Sequence, residues 1–203
     1  MKKLASLFLA LLLVCLLLSS CSGAKPVDSS ASAPSTGTLT SNTPAPAKTA
    51  PEQPPLTAES LNQNLQTQPL VVTSTSCETQ TEDSSLKILY PDMLQAILQN
   101  NSGEDIRSAV VAFVAWDENN LPVKIEGQFD FSGGTYIKKV NYDDINLIDG
   151  GTFGDGYGYS LGDDCKVKTC KAIAVSYETF EGTTWTNPYF DDFCELYEGK
   201  KHS

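Results

Sequence analysis

Between Ser22 and Gln80 the chain carries no Phe, Tyr or Trp, yet it holds eight of its eleven prolines there, at positions 26, 34, 44, 46, 51, 54, 55 and 69. A stretch of that composition cannot bury enough apolar surface to offset the entropy of ordering it. The sequence therefore predicts a disordered tether over residues 21–68 and confines the folding problem to residues 69–203. Over the 47 residues from Ser22 to Gln68, a flexible coil spans roughly 40 Å and a polyproline path roughly 150 Å. Within it, Thr57 to Gln66 (TAESLNQNLQ) has the pattern of a short helix with Leu61 and Leu65 on one face, a length that is marginal in isolation.

The amino terminus reads as an address. Lys2 and Lys3 precede an apolar run from Leu4 to Leu18 broken only by Ser6, the charge and hydrophobic pattern of an export signal. Its 15 residues fall short of the about 20 that a membrane span needs. The following Leu18-Ser19-Ser20-Cys21 resembles the lipobox of bacterial lipoproteins. The resemblance implies that residues 1–20 are cleaved and that Cys21, lipidated through its sulfur, becomes the first mature residue. Two or more acyl chains on one residue make a stable anchor, whereas one chain holds only marginally. The expected location is the extracytoplasmic side of the cell membrane, with the tether lifting a domain away from it.

The domain reads as all-β. Apolar runs at Leu70 to Thr75, Lys87 to Leu89, Met93 to Gln99, Ser108 to Trp116, Val123 to Phe131, Tyr136 to Val140 and Thr169 to Phe180 are separated by Asn-, Ser- and Gly-rich turns. Ala109 to Trp116 is apolar at nearly every position, which predicts a strand covered on both faces. Gln128 to Phe131 alternates, which predicts a half-exposed strand. Several short strands in about 135 residues favour an antiparallel β-sandwich. The segment AILQNNSGEDIRSAVVAFVAWDENNLP (96–122) resembles small immunoglobulin-like domains of bacterial lipoproteins, and CKAIAVSYETFEGTTWTNPY (170–189) is similar to the closing strand and hairpin of that group. The resemblance implies an immunoglobulin-like domain of unknown function and carries no catalytic residues.

Several chemistries are disfavoured. The net charge of −11 would repel nucleic acid and anionic surfaces. Ten basic against 21 acidic residues from Thr81 onward place that excess in the domain, pointing to cations or basic surfaces as partners. No phosphate-binding Gly-rich loop followed by Lys and Ser or Thr supports nucleotide use. The one histidine, His202, lies at the terminus, where chains fray and a catalytic base is seldom positioned.

Four cysteines remain beyond Cys15 and Cys21: Cys77, Cys165, Cys170 and Cys194. In an exported protein an even number points first to disulfides, with three connectivities open, alongside free thiols or a four-cysteine zinc site. A Cys77–Cys194 bridge, closing a 117-residue loop, would add up to about 5 kcal/mol in the chain-entropy model. Asn141 to Asp164 holds six Asp (143, 144, 149, 155, 163, 164) and six Gly, a source of oxygen ligands for calcium. Asp149, Asp155, Asp163 and Asp164 are the candidate Ca2+ ligands, against the plainer reading of a solvated loop. The same carboxylates are also candidates for an acid and base pair of the glycosidase kind. Finally, the aromatics from Tyr177 to Tyr197 either close the core or form a platform, with Trp185 and Tyr189 the candidates for binding an envelope protein or glycan. The reading as a whole is a lipid-anchored, non-catalytic interaction domain of the cell envelope. Calcium binding is the alternative, and a carboxylate hydrolase the remote one.

Overall fold

The computed structural model describes residues 56–163 and 165–202. The expected signal, Cys21 and the rest of the chain up to residue 55 lie outside the described residues. The elements in chain order are α1 (Ala58–Leu65), β1 (Leu70–Glu78), β2 (Met93–Asn100), β3 (Ile106–Trp116), β4 (Pro122–Val123), β5 (Lys138–Tyr142), β6 (Thr152–Phe153), β7 (Gly158–Ser160), β8 (Thr169–Thr179), β9 (Thr184–Thr186) and α2 (Phe190–Tyr197). All strand pairs are antiparallel. In one sheet β2 lies between β1 and the short β6 and β7; in the other β3 lies between β8 and the pair β4 and β5, with β9 beyond β8. This is the expected antiparallel β-sandwich.

The strand patterns explain the layering. Residues of β2 alternate, with Leu94, Ala96 and Leu98 buried and their neighbours partly exposed, so β2 faces the core on one side only. In β3, Val111 to Trp116 are buried without interruption. Its odd-numbered residues, Ala109, Val111, Phe113 and Ala115, join Ala172 and Ala174 of β8 in the core between the sheets. Its even-numbered residues, Ala112, Val114 and Trp116, join Ile173 and Val175 on the outer face, under Leu61 of α1 and Phe193 of α2. The third layer of two short helices is what makes β3 apolar at every position from Ala109 to Trp116. Full burial of one side chain such as Phe113 stabilises the fold by roughly 1.5–3 kcal/mol.

Four sequence expectations are corrected here. Lys87 to Leu89 is not a strand, because the chain turns there behind a 3₁₀ turn at Ser84–Leu86. Val123 to Phe131 contributes only the end of β4 and isolated bridges at Ile125 and Gly127 before it turns at Gln128 to Phe129. The helix in Thr57 to Gln66 forms, but it is not part of a free tether. Thr57 and Ser60 cap it reciprocally, with Ser60 N to Thr57 Oγ1 at 3.2 Å and Thr57 N to Ser60 Oγ at 2.9 Å, and Leu61 is wholly buried. The folded unit therefore includes residues ahead of Pro69. Nor does the carboxy terminus fray. Trp116 Nε1 donates to Lys200 O at 2.8 Å, His202 N donates to Asn120 O at 3.0 Å, and the His202 ring lies 4.6 Å from Trp116.

In β1 a bulge between Val72 and Ser74 adds one residue against β2. Beyond it Thr75 pairs with Ala96 and Cys77 with Leu94, so Thr75 and Cys77 lie on the core-facing side. Between β6 and β7, Gly154 has φ +122° and lies so close to Ala96 O that no Cβ would fit. Its close approach lets both short strands pair with β2.

Candidate interaction surface

Two loops meet at one place on the sandwich, and each is stiffened by polar contacts that turn its apolar side chains outward. The first joins β1 to β2. Asp83 Oδ1 accepts from Ser85 N at 2.9 Å and Ser85 Oγ at 2.7 Å, Leu89 N and Tyr90 N both donate to Leu86 O, and Lys87 pairs with Asp92 at 2.6 Å. With the backbone held in this way, Ile88, Leu89 and Tyr90 stand 65%, 69% and 55% exposed.

The second loop joins β4 to β5. Asp130 Oδ1 accepts from Ser132 N at 3.0 Å and Ser132 Oγ at 2.6 Å, while its Oδ2 meets Lys138 Nζ at 2.9 Å. The Ser132 hydroxyl first, and then Lys138, hold the Asp130 carboxyl at about 2. Lys138 is raised in turn, chiefly by Tyr159 and also by Asp130. Phe129 and Phe131, on either side of this anchored carboxylate, are 79% and 92% exposed. Gln128 Nε2 donates to Ile88 O at 2.5 Å and ties the two loops together. Monomeric proteins seldom leave several large apolar side chains exposed side by side without using them.

The residues singled out from the sequence are placed differently. Trp185 stacks on Tyr177 with centroids 5.3 Å apart and rings 21° from parallel, and it packs against the core between the sheets. Tyr189 packs on the outer layer with α2. The structure does not bring them together into a platform, since each packs in a different layer. The surface on the two loops is hidden in the sequence because both segments have the composition of strands, where apolar residues count as core. The turn formers flanking them, Pro91 and Gly133-Gly134, were the available signal.

Among the acidic candidates, Asp143, Asp144, Asp149, Asp155 and Asp163 are all exposed. Asp149 works as a latch: its Oδ1 accepts from Gly103 N at 3.0 Å, while its own N donates to Asp105 Oδ1 at 3.0 Å. Asp164 lies outside the described residues. Among the described residues no group of three or more His, Cys, Asp or Glu is placed to hold a metal ion.

No two of the four cysteines of the domain are bonded to each other in this structure. Cys77, Cys165 and Cys170 pack against the core between the sheets. Cys194 belongs to α2, in the layer on the other side of the β3–β8 sheet. A Cys77–Cys194 bridge and a four-cysteine zinc site are therefore both ruled out by the intervening sheet. The His202 ring is held edge-on against Trp116, with centroids 4.6 Å apart. No described helix is long and apolar enough to cross a membrane.

Residues 93–200 match the model of a family described as being of unknown function, DUF5780. No curated protein matches the chain. Among solved structures, a hypothetical protein from Peptoclostridium difficile 630 is similar, with a TM-score of 0.50 and 12% identity, covering 67% of this chain and 94% of that one. At that identity the likeness concerns the fold alone.

Proposed function

The chain belongs to the DUF5780 family of unknown function, and on that premise we propose that it is a lipid-anchored lipoprotein on the extracytoplasmic side of the cell membrane. Its sandwich is a non-catalytic interaction domain that docks an envelope protein through the loops bearing Ile88, Leu89, Tyr90, Phe129 and Phe131. The observation that carries the reading is the joint exposure of these side chains on backbone held by Asp83, Asp130 and Gln128. Rigid loops present apolar anchors at low entropic cost, the property that interface hot spots share. The acidic balance of the domain favours a partner whose apolar patch has a basic rim. The anchor part of the reading rests on Leu18-Ser19-Ser20-Cys21 behind its apolar run. The exposed, scattered carboxylates and the packed His202 support a binding role over a hydrolytic one.

Two measurements test this. Replacement of Cys21 by Ala is expected to abolish labelling by palmitate and release the protein from the membrane fraction; unchanged membrane retention sinks the anchor. A photo-crosslinking side chain placed at Phe131 in intact cells is expected to yield one dominant protein adduct that the same probe at exposed Ile148 does not. Equal or absent adducts at the two sites sink the docking surface.

A further inference from the structure

We propose that Cys77 and Cys170 form a disulfide that joins the two sheets across the core. The bulge in β1 brings Cys77 to the inner face, opposite Leu94 of β2. Cys170 is the second residue of β8 and lies on the same inner face as Ala172 and Ala174. The two strands belong to different sheets, yet their ends run against each other. Thr75 Oγ1 donates to Cys170 O at 3.1 Å, the Cys170 thiol donates to Ser76 O at 3.4 Å, and the Cys77 thiol reaches Val167 O at 4.0 Å. Each sulfur thus rests on the backbone of the other's segment, and side-chain rotation alone is asked to bring them together. Cys165 is the competing partner, since it packs on the same core, but its thiol is turned to Lys124 O at 3.9 Å.

The bond needs an oxidant, and the extracytoplasmic location proposed above supplies one class, a protein disulfide; glutathione disulfide stands in for it in solution. The Cys77 thiolate attacks one sulfur of glutathione disulfide, forming a mixed disulfide and releasing one glutathione thiolate. The Cys170 thiolate then attacks the Cys77 sulfur and displaces the second. Two electrons pass to glutathione, and the two protein thiol protons end on the two glutathione molecules. Burial pushes the Cys170 thiol up to about 12 and, with Asp92 and Cys165 nearby, raises that of Cys77 as well. Thiolate is therefore scarce in the folded dithiol, and bond formation accelerates with pH.

The test uses the full chain, reduced and then equilibrated with glutathione disulfide, quenched in acid, alkylated and digested. Trypsin cuts at Lys166 and Lys168 and so separates Cys165 from Cys170. The expected product links the Cys77 peptide to Thr169–Lys171, with a gain in Tm of roughly 10 °C on oxidation. That gain should vanish in both Cys77→Ala and Cys170→Ala and survive in Cys165→Ala and Cys194→Ala. A Cys77–Cys165 product, or glutathione adducts alone, overturns the proposal. Because the peptide is read on the unsubstituted chain, a variant that fails to fold does not blur the result. If the bond forms in glutathione buffer but the thiols are found reduced in cells, the disulfide site stands and the extracytoplasmic reading falls.

Discussion

Replacement of Asn100 by Ala should cost about 3 kcal/mol, and the figure follows from what one side chain holds together. Asn100 ends β2 and is wholly buried. Its Nδ2 donates to Glu104 O at 2.8 Å and Leu147 O at 3.0 Å, and its Oδ1 accepts from Ser102 N at 3.0 Å and Ser102 Oγ at 2.7 Å. Four hydrogen bonds at a net value of about 1 kcal/mol each would give about 4. Two of the abandoned groups have other partners, however: Leu147 O still accepts from Ile106 N, and the Ser102 hydroxyl proton released by Asn100 Oδ1 turns to Glu104 O, 3.0 Å away. Ser102 is only half-buried, so water can reach its N–H. These compensations bring the expected loss down to about 3 kcal/mol. Urea unfolding followed by the fluorescence of Trp116 and Trp185 would register it as a midpoint lowered by about 1.5 M, for a slope of about 2 kcal/mol/M. Amide exchange should quicken at Ile106 and Leu147, whose mutual backbone bonds close the loop that Asn100 braces. A loss below about 1 kcal/mol, with exchange at those amides unchanged, would refute the assignment of Asn100 as the tie between the β2–β3 turn and the acidic loop.

The Tyr142 hydroxyl is buried without a partner among the described residues, and burial, with Tyr157 nearby, pushes its pKa up to about 12. Tyr142→Phe is expected to leave thermal stability unchanged or raise it by about 1 kcal/mol, and a clear loss in the melt would mean the hydroxyl has a partner after all. The Asp130 carboxyl, depressed to about 2 in the folded state, contributes stability above its unfolded pKa of about 3.9. That contribution is lost as pH falls through about 2, since the unfolded chain then binds the proton first. Carboxyl NMR titration should place its midpoint near 2 and move it upward in Lys138→Ala; a midpoint near 4 in the unsubstituted protein contradicts the loop geometry. Millimolar calcium should shift Tm by less than about 1 °C, because among the described residues no three His, Cys, Asp or Glu side chains are grouped to hold a metal ion. A rise of several degrees, reversed by chelator, would restore a cation site in the acidic loop.

The parts of the fold legible in the sequence were those where burial leaves a long pattern. The alternation of Met93 to Asn100 and the unbroken apolar run of Val111 to Trp116 each reflect how many faces the strand has covered. Short apolar stretches mislead, because Ile88-Leu89-Tyr90 and Phe129-Asp130-Phe131 have the composition of strand residues. Only the contacts of Asp83, Asp130 and Gln128 decide that they point outward. The placement of Cys77 was hidden for another reason. Strict alternation along β1 from Leu70 and Val72 would put Ser76 inside, and the extra residue at the bulge transfers the inner position to Cys77. Trp185 and Tyr189 illustrate the converse: aromatic clustering was visible, but whether rings pack or present themselves depends on neighbours distant in sequence, such as Tyr177 and Phe193.

The position of α1 has a mechanical corollary. The chain enters the folded unit through a helix lying on the outer face of the β3–β8 sheet, with Leu61 wedged beside Phe193, and only then passes into β1. A force applied from the amino-terminal side is therefore borne first by an eight-residue helix and its few side chains rather than by a hydrogen-bonded strand. Such an element can peel away at low tension, one contact after another, while the sandwich beneath stays intact. In a tethered molecule α1 would act as a shock absorber between the pull of the surface and the core, and its release would uncover Val114 and Ile173 before any sheet was sheared.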